Sequence, residues 1–204
     1  MNRYEQLVLD TIKCLNLVHK DLKYNTVYES LIWNKLIPLL MEKLAKDISE
    51  RRNIDIAFDL KLIIESAIQA TYLLLKHKFN EINIKRELSR RTKTASIFTA
   101  KMIAELPNTP GPIKKQILNI YLKISEYTHP TLRIMERISA MITLSDLDPD
   151  IRELIKETVD LTIYLLLRLY KEQVSALTLS ILNNLSYTYG LNRTKKYLSK
   201  QSIG

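Results

Sequence analysis

One stretch of the chain collects most of its reactive side chains. Between Ile120 and Thr131 the sequence reads I-Y-L-K-I-S-E-Y-T-H-P-T. A histidine, a carboxylate, a hydroxyl, a lysine and two tyrosines crowd together there. Ser125 stands four residues before His129 and Glu126 three before it, spacings that bring all three to roughly one helical face. An imidazole titrates near pH ~6.5, so His129 has the chemistry of an acid, a base or a ligand. The plainer alternative is that His129 caps a helix junction and bonds Glu126 or a backbone carbonyl.

Other chemistries find less support. Glu126-x-x-His129 matches one half of a carboxylate-bridged di-iron site, which needs a second copy from another helix. His19 follows Asn16 and His77 follows Leu74 at that spacing, so neither supplies it. One Cys and three scattered His offer no zinc site, and no metal or cofactor is expected. Asp146, Asp148 and Asp150 lack the Gly and terminal Glu of a calcium loop and read as capping residues. With 3 Gly in the chain, glycine-rich phosphate loops are absent.

The elements that position these residues are helices. Apolar residues recur every three to four positions almost throughout, and strand-like alternation is missing. The 204 residues suit one domain. The expected fold is all-α: a single-domain, up-and-down bundle of about six to seven helices over 1–204, with a basic tail at 190–204. The pattern predicts a first helix over 2–23, with His19 at its surface near the end. Thr26 and Glu29 form a capping box for a second helix, where Pro38 should impose a kink or break. A third helix carries the stripe Leu60, Ile64, Ala67, Ile68, Thr71, Leu75. Glu65 interrupts that stripe and needs a partner, either Lys61 one turn back or His129 in a shared site. A fourth helix, capped by Asn80 or Asn83, bears Arg86, Arg90, Arg91 and Lys93, a basic face suited to phosphate; a merely solvated face is the alternative. Pro107 to Pro112 is a loop. The helix that follows carries Ile113, Ile117, Ile120, Ile124 and Tyr127 inward and ends near His129, because Pro130 disfavours helical geometry before it. Asp148 and Pro149 open a last long helix that should break near Ser175 and stop at Gly190.

Net charge is +9, which favours nucleic acid, an acidic partner or an anionic surface. Lone Cys14 sits in an apolar setting and reads as a small buried hydrophobe. The polar start of the chain and its single Cys lead to a cytoplasmic expectation, without a membrane span. Abundant Lys, Ile and Glu with scarce Gly suit growth at high temperature.

Two segments together resemble a known family. Leu60 to Leu75 (L-x-x-I-I-E-S-A-I-Q-A-T-Y-L-L-L) and Tyr121 to Thr131 (Y-L-K-I-S-E-Y-T-H-P-T) are similar to the HEPN-like helical proteins, in particular their abortive-infection relatives. The resemblance implies a glutamate on an early bundle helix, here Glu65, accompanying the Tyr-x-x-x-Ser-Glu-Tyr-x-His-Pro segment. It also implies metal-independent RNA cleavage in nuclease members, with four to six residues between an Arg and the His that follows it, often across a homodimer. Here His129 matches the histidine and Lys123 holds the arginine's place, with five residues between them. Lysine is a point charge and lacks the bidentate fork. Three readings follow. The first is a HEPN-like protein binding RNA or nucleotide through a site centred on His129. The second is a ribonuclease using His129, Lys123, Glu126 and Glu65. The third is a structural or interaction bundle. Whether the chain is an enzyme stays open on the sequence.

Overall fold

A computed structural model describes residues 2–93, 99–128 and 147–199, apart from the side chains of 91–93. Every regular element among them is helical. His129 lies outside the described residues, as do Pro130 and Asp146.

Helix α1 (Arg3–Asp21) opens on a capping box between Asn2 and Glu5 and buries Leu7, Val8, Leu15 and Val18. The Thr26–Glu29 box then starts α2 (Val27–Glu29), which runs without a break through a π-helical segment (Ser30–Leu36) into α3 (Ile37–Ser49). The break anticipated at Pro38 is therefore a change of winding. Proline offers no N–H to the ladder. The chain widens just before it, and the Ile37 N–H reaches back to the Ile32 carbonyl.

Helix α4 (Asn53–Lys76) follows a tight turn in which Arg51 adopts φ +58°. It packs against α3, against α7 (Gly111–Thr128) and against α8 (Pro149–Tyr170). Both α4 and α8 are buried nearly all round their middles, as central helices must be. Between them in sequence come α5 (Glu81–Lys93) and α6 (Thr99–Ala104). Asn80 accepts from the Asn83 N–H at 3.0 Å, so Asn80 is the cap. Arg168, which interrupts the apolar run of α8, grips the Pro107–Pro112 loop: it donates to Thr109 Oγ1 at 2.6 Å and to the carbonyls of Pro107 and Asn108 at 3.1 Å.

Asp148 caps α8 with Pro149 in its first turn. A 3₁₀ turn (Lys171–Gln173) and the Ser175 cap separate α8 from α9 (Ala176–Tyr189), which ends at Gly190 in the left-handed region, φ +66°. The basic tail continues as α10 (Asn192–Ser199). It is tied down: Asp160 of α8 accepts from the backbone N–H groups of Arg193 and Thr194 at 2.9 Å, and the Arg193 guanidinium bridges to Glu157 at 2.6 Å.

All-α is the observed class. With Val27–Ser49 taken as one rod, the described residues hold nine helices, more than the six to seven expected. Beyond Pro149 the expected long helix and tail are three helices, α8, α9 and α10, divided at Ser175 and Gly190.

Candidate functional site

The two segments that carry the resemblance lie on α4 and α7, which pack side by side. Two polar links cross their seam. The Tyr121 hydroxyl donates to Glu65 Oε1 at 3.2 Å. The Lys61 ammonium donates to Thr128 Oγ1 at 3.1 Å, and Thr128 in turn donates to the Ser125 carbonyl at 3.2 Å. Lys61 thus reaches across to α7, in place of the pairing with Glu65 that one-turn spacing suggested. Burial, then the Glu65 charge, raises the Tyr121 pKa, so the phenol stays protonated and acts as a donor. Glu65 is half-buried. The structure therefore brings Glu65 and Lys61 to the last described turns of α7, whose final described residue, Thr128, immediately precedes His129 in sequence.

Lys123 and Glu126 lie elsewhere on α7. A helix turns about 100° per residue, so Lys123 is rotated roughly 200° from Tyr121. Both residues are exposed and line a groove of about 500 Å³ between α7 and α8. Asp150, Glu153, Glu157 and Arg193 line it too. Four carboxylates face two cations there, which makes the groove acidic on a basic protein. Among the four site candidates, Glu65 sits on one side of α7, Lys123 and Glu126 on the other, and His129 lies outside the described residues.

On α5, Arg86 and Arg90 are exposed and one turn apart on the same face. For Arg91 and Lys93 only the backbone is described. Glu87 fastens α5 to α4: it accepts from Lys76 at 3.0 Å and pairs with His77 at 2.5 Å. Tyr72 extends that network, receiving from Lys76 and donating to Glu105 of the loop after α6, both at 2.9 Å.

Several groups depart from their sequence reading or escaped it. His19, expected at the surface, is half-buried and bonded to the Tyr24 hydroxyl; burial pushes its pKa down to about 4. Cys14, by contrast, is buried as its apolar setting implied, which pushes its thiol up to about 11. Asp47 and Asp59 form a buried carboxylate pair with Lys43 that sequence reasoning missed. The signal existed: Asp59 stands within the apolar stripe of Ile56, Leu60 and Ile63, an anomaly of the same kind as Glu65. Among the described residues no three His, Cys, Asp or Glu side chains are grouped to hold a metal, and no helix is long and apolar enough to cross a membrane.

Neither a family model, nor a curated protein, nor a solved structure gives a significant match to the chain.

Proposed function

We propose that this is a HEPN-like helical protein that binds RNA or a nucleotide along the α4–α7 seam, at a site completed by His129. The observation that carries the reading is the crossing of that seam by Glu65–Tyr121 and Lys61–Thr128 at the end of α7. It gathers an acid, a phenol donor, an ammonium and a hydroxyl beside the point where the chain enters His129. Arg86 and Arg90 on α5 supply the phosphate contacts, together with Arg91 and Lys93. The acidic α7–α8 groove repels phosphate and is not part of the RNA path.

The ribonuclease reading needs a cation beside His129. Lys123 shares its groove with four carboxylates, so its charge is offset where it sits. A cleaving site would have to draw its cation from Lys61 or from a second protomer of a homodimer. The seam links equally suit a third role, helix locking in an interaction scaffold.

Fluorescence anisotropy of a short labelled single-stranded RNA across a salt series tests the proposal. Each phosphate contact contributes roughly 0.7 to the log–log salt slope on single strands. The Arg86→Ala/Arg90→Ala variant should bind with a slope lower by about 1.4. An unchanged slope removes α5 from the interface, and no binding at low salt removes the proposal.

A further inference from the structure

Asp47 of α3 and Asp59 of α4 face each other inside the hairpin, 2% and 1% exposed. Lys43 Nζ lies 2.8 Å from Asp47 Oδ2 and 2.6 Å from Asp59 Oδ1. Arg52 approaches Asp47 Oδ1 at 3.4 Å, while also pairing with Glu50 and, at 3.5 Å, with Asp55. Three of the four carboxylate oxygens therefore meet a cation. Asp59 Oδ2 is buried and meets no hydrogen-bond partner. One ammonium, that of Lys43, thus holds both carboxyl groups together. Two ionised carboxylates accept only; a proton on one turns it into a donor to the other.

We propose that Asp59 takes a proton from mildly acidic solution and donates it to Asp47, so that the α3–α4 hairpin is a clasp that tightens on acidification. The proton satisfies the orphaned Oδ2 and leaves one negative charge on the pair, held by Lys43 and Arg52. After deprotonation two buried charges share the same cations. The charges that face the pair come from the hairpin itself: Lys43 from α3, Glu50 and Arg52 from the turn, and Asp55 from α4. Of the acids of the neighbouring α1 and α8, Glu5 accepts from the Asn2 N–H, Asp21 accepts from Ser175, and Glu153 lines the α7–α8 groove. Asp10 pairs with Lys13 and Tyr189, Asp150 with Tyr127, and Glu157 and Asp160 with Arg193.

The direction follows from linkage. Burial raises the Asp59 pKa to about 6, against the pull of Lys43. Its folded value exceeds the unfolded one, so its contribution is complete below the unfolded value of 3.8 and fades as pH rises through about 6. Asp47 runs the other way. Burial pushes its pKa up, but Lys43, Asp59 and Arg52 outweigh it and hold the value low. Its contribution is present above 3.8 and is lost as pH falls through the lowered value. The clasp therefore tightens over the interval between those two limits.

Thermal melts of the wild type and Asp59→Asn between about pH 7.5 and about pH 5 test this. The amide donates to Asp47 without titrating, so the variant should melt at or above the wild type at the higher pH. The wild type should gain on the variant as pH falls. A constant difference across the range overturns the proposal. Should Asp59→Asn fail to fold, the carbon-13 shift of the Asp59 carboxyl in the wild type decides. A midpoint near 6 supports the clasp, and one near the ordinary carboxylate value of about 4 overturns it.

Discussion

Replacing Tyr170 by Phe deletes a single oxygen at a buried polar contact. Glu29 is fully enclosed. Its Oε2 receives the backbone N–H groups of Asn25 at 2.9 Å and Thr26 at 2.7 Å, and its Oε1 receives the Tyr170 hydroxyl at 2.8 Å. The contact fastens the start of α2 to the end of α8, 141 residues apart in sequence. The ring itself stays packed between Tyr24 and Phe79 in Tyr170→Phe, so no cavity opens. What is lost is one hydrogen bond to a carboxyl group, and Oε1 remains buried without that donor. A bond of this kind is worth about 1.5–3 kcal/mol. In a chain of this length each kcal/mol moves the melting temperature by about 2–4 °C, so a fall of roughly 3–12 °C is expected. Far-UV circular dichroism melts at neutral pH read it directly. A double-mutant cycle with Glu29→Gln should return coupling of the same order as the single-variant loss. A melting temperature within about 1 °C of wild type, with no coupling to Glu29, would refute the assignment of this contact as the tie between the two ends of the fold.

Two further outcomes follow from backbone geometry and capping. Lys78 adopts φ +49°, a conformation that disfavours side chains with a Cβ. Lys78→Gly should therefore be neutral to stabilising by about 0.5 kcal/mol, measured by urea denaturation, whereas Lys78→Val should destabilise. Asp160→Ala removes the acceptor for two backbone N–H groups at the start of α10 and one partner of Arg193. A loss of about 1–2 kcal/mol is expected, with faster proteolytic release of the residues after Gly190; unchanged proteolysis would mean that α10 is held by other contacts.

What the sequence revealed about the fold is local. The Thr26–Glu29 box, the Asn80 and Asp148 caps, the break near Ser175 and the stop at Gly190 each depend on residues a turn apart, and each forms as its spacing implies. What stayed hidden depends on partners distant in sequence. Lys61 chooses Thr128 over Glu65 because α7 lies alongside, a fact that no spacing on α4 contains. His19 is half-buried because Tyr24 folds back over it. Asp47 and Asp59 sit on different helices, and only their packing makes a pair. At the candidate site, the sequence grouped Lys123 and Glu126 with Glu65. Helical rotation sends them to the α7–α8 groove, away from the seam that Glu65 occupies.

The most direct test of the central claim is the coupling between Glu65 and His129 in RNA binding. Anisotropy at low salt should be measured for wild type, Glu65→Gln, His129→Ala and the double variant. Each single variant should weaken binding, and the double variant should be scarcely weaker than either, as for two groups serving one site. Full binding by His129→Ala, or strictly additive losses, would contradict it.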